Sequence, residues 1–235
     1  MLMLSDEDGY TLIRLARSAL EHYLKHGRMI DVDEHIRSRY SMKAGVFVTL
    51  NELIDMSGKD GNRNDNDNSA IRGKSIYIDY AKVKVKEELR GCIGFPLPSK
   101  ELCYAIVDAA VAAATEDPRF EPVKSSELDR ITVELSILTE PELITVKDPR
   151  EYKDKIKVGR DGLMIVWRYG SGLLLPQVAV EYGWDEERFL CETCMKAGAM
   201  PDCWFYQDTR VYRFEAIIFK EVEPNGRVTR VRLAE

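Results

Sequence analysis

Between residues 82 and 94 the chain alternates with period two. Val83 and Val85 fall on one side, and Lys82, Lys84 and Lys86 on the other. Such a run commits the segment to a β-strand with one packed face and one wet face, because successive side chains of a strand point to opposite sides. It ends in Leu89-Arg90-Gly91-Cys92-Ile93-Gly94. Unbroken alternation puts Leu89 and Ile93 on the valine face and sends Arg90 and Cys92 together to the lysine face, away from the core. Gly91 and Gly94 permit backbone conformations that other residues resist, or the close approach of a ligand. A cationic neighbour lowers the pKa of a thiol, and the thiolate is its reactive form. The segment reads as a reactive or ligand-binding cysteine at a strand exit. Its plainer reading is a small buried thiol on a strand with a glycine bend.

Further strands are expected at residues 46–53, 75–80 and 131–137. In the last, Ile131, Val133, Leu135 and Ile137 alternate with Thr132, Glu134 and Ser136. Residues 163–167 and 173–175 flank Arg168-Tyr169-Gly170-Ser171-Gly172, a hairpin signal. Tyr212, Phe214, Ala216 and Ile218 share one face of a long strand that Pro224-Asn225-Gly226 turns into a last one, giving a C-terminal hairpin over 209–233. Residues 5–26 read as an amphipathic helix. Ser5 and Asp8 form a capping arrangement, Leu12, Leu15, Ala16, Ala19, Leu20, Tyr23 and Leu24 recur at helical spacing, and Gly27 is the stop. Ser99 is positioned to cap a helix running to about Thr115, whose stripe of Leu102, Ile106, Ala109, Ala110 and Ala113 lets it lie close on a sheet. Pro176 suits a helical first turn, and Asp185 caps another helix that Gly198 ends. The class is therefore α+β, a mixed and largely antiparallel sheet with flanking helices. Residues 57–74 are almost devoid of apolar side chains and read as a mobile loop insertion. No repeat or clean linker divides the chain, so residues 1–235 are expected to form one domain.

The 235 residues carry a net charge of −6, which argues against wholesale nucleic-acid binding and leaves only weak support for a local footprint at Arg227, Arg230 and Arg232. Those arginines more simply protect an edge strand. No apolar run approaches the roughly 18 residues of a membrane span, and an N-terminus acidic at Asp6, Glu7 and Asp8 is unlike a targeting peptide. Five cysteines, an odd number in a chain of this size, suggest a reducing compartment.

Beyond Cys92, chemistry concentrates in Asp117-Pro118-Arg119-Phe120. Here proline fixes a turn that can hold a carboxylate and a guanidinium outward beside an aromatic anchor; the same turn also reads as a stapled helix terminus with an internal ion pair. Cys191, Cys194 and Cys203 make an incomplete zinc set and are expected as buried helix thiols, with a disulfide as an alternative. His22 and His26 are four apart on one helix but lack a third ligand, and the acidic positions of residues 57–74 lack the closing glutamate of a calcium loop. No metal site is expected. Trp184 and Trp204 read as lobe-packing residues. There is no GxGxxG, phosphate-binding loop or iron–sulfur cysteine run, so no cofactor is expected either.

An ordered series of blocks adds a resemblance. Gly45-Val46-Phe47-Val48-Thr49-Leu50, the Leu89–Gly94 segment, Asp117-Pro118-Arg119-Phe120 with Pro122-Val123, and Glu134-Leu135-Ser136-Ile137-Leu138-Thr139 are followed by four more. These are Val158-Gly159-Arg160-Asp161-Gly162-Leu163, Leu175-Pro176-Gln177-Val178-Ala179, Gly183-Trp184-Asp185 and Lys196-Ala197-Gly198. Together they resemble the AMMECR domain family, in its archaeal branch. The resemblance implies two unequal lobes with a cleft between them, a cytoplasmic protein, and the Cys92 and Asp117 segments on one cleft. The candidate constellation is Cys92, Arg90 and Asp117 as catalytic residues, with Gly91, Gly94, Arg119, Phe120 and Glu134 binding ligand. The family's activity is not established. Members often occur beside Memo-like and radical-SAM proteins, which implies a component of a modification system whose radical chemistry belongs to a partner. The alternative is a non-catalytic module that binds a small ligand or a protein through the same cleft. A nucleophile–base pair is not evident, since all three histidines lie in the N-terminal region. Sequence does not fix an oligomeric state.

Overall fold

The computed structural model describes residues 3–55, 76–80 and 83–233. The expected polar insertion at 57–74 lies outside them. The first helix, α1 (Asp6–His26), starts as its sequence prescribes. Ser5 accepts from the Asp8 amide, Asp8 accepts from the Ser5 amide, and Gly27 closes the helix in the left-handed region at φ 68°. A short helix that the sequence reading did not anticipate, α2 (Glu34–Arg39), leads into strand β1 (Gly45–Asp55). β2 (Ile76–Tyr80) and β3 (Val83–Phe95) follow, then α3 (Leu102–Thr115). Ser99 does not cap α3. The cap position is Glu101, without a side-chain bond, and its neighbour Leu102 ties its amide to the Met42 carbonyl instead. Strand β4 (Ile131–Leu138) completes the larger lobe, whose core is built from α1, α3, the inner faces of β1 and β4, and Phe219.

The smaller lobe contains β5 (Glu142–Leu143), α4 (Tyr152–Lys155), the hairpin β6 (Asp161–Trp167) and β7 (Gly170–Leu174), α5 (Pro176–Tyr182) and α6 (Glu186–Lys196). The β6–β7 turn is tighter than the sequence suggested. Gly170 and Gly172 belong to β7 rather than the turn, because the end of α6 crosses them; a Cβ on Gly172 would sit 2.3 Å from the Ala197 nitrogen. Cys194 and Cys203 form a disulfide that ties α6 to the turn after it, where the cysteine reading had favoured thiols. Both sulfurs are buried in the small lobe's core beside Phe189, Leu190 and Trp204.

Strand β8 (Arg210–Glu221) joins the lobes. Its first half pairs with β6, its second half with β4, and the sheet order is β2-β3-β1-β4-β8-β6-β7, with β5 and β9 (Val228–Val231) also paired to β8. All of the described pairings are antiparallel. A third apolar group, with Leu138, Leu175 and Phe214 at its centre, lies between the two lobe cores.

One buried ion pair fastens the far end of β8 to α1. The Glu221 carboxylate is fully buried and accepts from Arg17 Nε at 2.7 Å, from Arg17 Nη2 and from the Val133 amide at 3.0 Å. Removing one partner of such a pair strands the other charge in the core. Arg17→Met is therefore expected to lower unfolding free energy by about 3–5 kcal/mol in a urea titration, with Arg17→Met/Glu221→Leu recovering a large part of it. A double variant as unstable as the single one would show that the stranded charge is not the cause.

Candidate functional site

The expected phase of Cys92 and Arg90 fails at one residue. Leu50 pairs with Gly91 and Asn51 with Leu89, so Arg90 is an extra residue on β3, a β-bulge. A bulge shifts the alternation by one. Leu89 and Cys92 come to the same side as Phe47, Thr49 and Asn51, facing the cleft, while Arg90 turns to the helical side. There Arg90 Nε donates to Glu127 Oε2 at 2.9 Å and Nη1 to the Glu121 carbonyl at 2.9 Å. Arg90 is thus a brace between β3 and the segment after α3, and its assignment beside the thiol is corrected. The glycines are also accounted for by packing. A Cβ on Gly91 would lie 2.1 Å from the Ala113 carbonyl oxygen of α3, and one on Gly94 would meet the Phe47 ring at 2.4 Å. Gly91 faces α3, and Gly94 lies under the Phe47 ring, which itself lines the cleft. Phe120 stacks under Arg119 at 5.4 Å, outside the cleft wall.

What reaches the cleft is a row of side chains crossing four strands. Cys92 of β3 pairs with Thr49 of β1, Thr49 with Glu134 of β4, and Glu134 with Lys220 of β8. Paired residues on adjacent strands share a face, so the four form one line across the cleft floor. The cleft has a volume of about 570 Å³. Its opposite wall is the end of β7 with α5: Leu173, Leu175, Gln177, Val178, Glu181 and Tyr182. A second groove of about 800 Å³ lies beside Arg160 and Arg213, whose guanidinium groups are already paired with Asp161 and Glu142.

Asp117 stands at one end of the row. It accepts from the Cys92 amide at 2.8 Å and is held by Arg119 through Nε at 2.9 Å and Nη2 at 2.7 Å. Burial alone would raise its pKa, but these bonds overcome it and leave the carboxyl below its ordinary value. The turn therefore fixes the Cys92 backbone from across the cleft end, with Arg119 half-exposed at the rim. The thiol itself receives a bond from the Thr49 hydroxyl at 3.3 Å. Desolvation pushes its pKa up, Thr49 and Arg119 pull it down, and Glu134 and Asp117 push it up again; the net shift is upward. Cys92 is a protonated thiol in the resting cleft.

Glu134 is the reverse case. Gln177 Nε2 donates to it at 3.2 Å and to Ser136 Oγ at 3.1 Å. Lys220, its strand partner, instead bonds Glu87 at 2.5 Å. Desolvation and the negative charges of Glu181 and Glu87 outweigh Lys220 and Gln177 and lift the Glu134 pKa to about 7. Glu87, Gln177, Glu181 and Lys220 were not singled out from sequence. Gln177 lies within a quoted family block, but nothing local to any of the four announces a cleft.

Geometry defines a two-lobed α+β protein with a cleft floored by the larger lobe's sheet. The AMMECR1 family model matches residues 13–219, and the chain belongs to that family. It is 48% identical over 230 residues to Protein PF1979 of Pyrococcus furiosus, covering 98% of this chain and 96% of that one. It is 44% identical over 233 residues to Protein MJ0810 of Methanocaldococcus jannaschii, covering 99% and 100%. The crystal structure of the uncharacterized protein PH0010 from Pyrococcus horikoshii superposes with a TM-score of 0.81 at 46% identity, over 98% of this chain and 99% of that one. Among the described residues no helix is long and apolar enough to cross a membrane.

Two predictions follow from this geometry. Gly91→Ala is expected to cost about 1–3 kcal/mol by forcing α3 off the sheet, read by thermal unfolding; an unchanged melting temperature would return Gly91 to the list of ligand-facing positions. Glu134 holds its proton more tightly folded than unfolded, where it titrates near 4.5. Its contribution to stability is therefore complete below about 4.5 and is lost as the pH rises to about 7. Glu134→Gln should match wild type at pH 4 and exceed it at pH 8 by on the order of 1–3 kcal/mol. An equal difference at both pH values would show that the carboxyl is not perturbed.

Proposed function

We propose that the cleft is a binding site for a small polar molecule, with Glu134 as the group that exchanges a proton with it and Cys92 as a protonated thiol that contacts it. The observation that carries this reading is the row Cys92–Thr49–Glu134–Lys220 on the floor of the cleft, with a carboxyl whose pKa sits near 7 at its centre. A carboxyl so placed has both protonation states available near neutrality, which suits a general acid or base. Ligand sites are typically concave, largely apolar and lined by a few convergent polar groups, as this cleft is. The raised Cys92 pKa favours binding as a neutral thiol over a resting thiolate nucleophile. Participation beside Memo-like and radical-SAM partners is part of the same proposal; the chain would supply the binding cleft and the partner the radical.

Dialysis against a metabolite extract, followed by mass spectrometry of the retained fraction, tests the reading. Wild type should enrich small polar molecules that Val178→Trp, which places a large ring in the cleft from α5, does not. Identical retained fractions would refute it. Alkylation of Cys92 in a variant keeping only Cys92 and the Cys194–Cys203 disulfide should be slow at neutral pH and accelerate only above the ordinary thiol range. Rapid reaction below pH 7 would instead support the nucleophile assignment.

A further inference from the structure

α5 forms the wall opposite the cleft floor, and its two sides are held differently. On one side Ala179 packs into the smaller lobe's core with Leu163, Phe189 and Leu190. On the other, Gln177 Nε2 donates to Glu134 Oε1 at 3.2 Å and to Ser136 Oγ at 3.1 Å, both on β4. α5 has seven residues, and so short a helix persists only with tertiary support. The Gln177 contact therefore ties this wall to the floor of the larger lobe.

One atom of that tie is unmatched. Gln177 is 8% exposed, and its Oε1 is shut off from solvent with no hydrogen-bond partner among the described residues. A buried amide oxygen needs a donor, and here the donor must come from inside the protein. An ionised carboxylate has only acceptors, whereas a protonated carboxyl carries an O–H donor beside its acceptor. A primary amide carries the same two functions side by side. Glu134 is already in contact with this amide, and burial together with the charges of Glu181 and Glu87 favours its protonated form.

We propose that Glu134 and Gln177 form a carboxylic acid–amide pair, Nε2–H donating to one Glu134 oxygen and the second Glu134 oxygen donating its proton to Gln177 Oε1, and that this pair is a proton-dependent clasp holding α5 against local opening. Loss of the proton leaves one bond of the two, strips Oε1 of its donor and adds a carboxylate beside Glu181 on α5 itself. The other titratable and charged groups around the cleft are Glu87 and Cys92 of β3, Lys220 of β8, Tyr182 of α5, Lys196 at the end of α6, and Asp117 with Arg119. Two of the three cations are already shared, Lys220 with Glu87 and Arg119 with Asp117. When α5 opens, Glu134 is rehydrated and titrates near 4.5; when α5 is closed it titrates at about 7. The clasp is therefore at full strength below about 4.5 and is lost as the pH rises through about 7. It involves this chain's own atoms alone, so its failure would leave the small-ligand reading untouched.

The test measures hydrogen exchange of the α5 amides in the full-length chain at about pH 5.5 and about pH 8.5, corrected for the intrinsic exchange rate at each pH. Wild-type protection should fall by about tenfold between the two. Glu134→Gln puts an amide donor where the acid proton was and should keep the higher protection at both. Gln177→Met should lose protection mainly at the lower pH, where wild type has both bonds. Wild-type protection that does not change with pH would overturn the clasp. A loss in Gln177→Met that is equal at both pH values, or larger at the higher one, would show that Gln177 does not accept the proton, and would overturn the pair. Infrared spectroscopy reads the proton directly, whether or not Gln177→Met folds. The carboxylic acid band that Glu134→Gln removes should lie at the lowered frequency of an acid whose O–H is donated. A band at the frequency of an unbonded acid would overturn the assignment.

Discussion

β8 is the strand on which the geometry of the molecule depends. Its 12 residues hydrogen-bond β6 at one end and β4 at the other. A backbone ladder cannot be slipped by one residue without turning every side chain to the opposite face. The two lobes are therefore indexed to each other by main-chain bonds rather than by a pliable linker. Leu138, Leu175 and Phe214 fill the joint from within, and the buried Arg17–Glu221 pair anchors the far end of β8 to α1. The cleft owes its shape to this strand: its floor is the larger lobe's sheet, and its opposite wall hangs from the smaller lobe on the other half of β8.

On that floor a single bulge decides which residues face the cleft. Without it, Arg90 would lie beside the thiol and hold it partly as thiolate. With it, Arg90 bonds Glu127 on the far side of the sheet, and the cation acting on Cys92 among the described residues is Arg119, already engaged by Asp117. The same shift brings Cys92 into line with Thr49, Glu134 and Lys220. Bulges often re-aim a side chain beside a site, and here the re-aimed residue is the cysteine. The electrostatic consequence is a division of roles. Asp117 is tied down by donors and stays ionised, whereas Glu134 is desolvated among carboxylates and titrates near neutrality.

The family relation is consistent with these features without explaining them. A structure at 46% identity and a TM-score of 0.81 shares the fold across nearly the whole chain. The chemistry proposed for this cleft rests on this chain's own side chains: the desolvated carboxyl of Glu134 and the thiol of Cys92.

Much of the architecture was legible in the sequence because local rules acted alone. Ser5 with Asp8 and Gly27 bounded α1, Asp185 and Gly198 bounded α6, and the alternation of Ile131 through Ile137 placed Glu134 on the polar face of β4. Cys92, Asp117, Arg119 and Glu134 were named from residue type and order, and the tertiary structure brings them to one cleft. Arg90, Gly91 and Phe120 were named as well and lie outside the cleft lining, and Gly94 sits beneath the Phe47 ring, because a bulge is a property of two paired strands and a glycine's purpose depends on what packs across it. The crossing of α6 over β7, the disulfide between Cys194 and Cys203, and the convergence of Glu87, Gln177, Glu181 and Lys220 were likewise decided only in three dimensions. These residues come from β3, α5 and β8, far apart in sequence, and nothing in their local spacing records the distance at which their charges meet. The sequence by itself determined most of the elements; the pairing of strands across the sheet, with its one bulge, determined which faces meet and which side chains share the cleft.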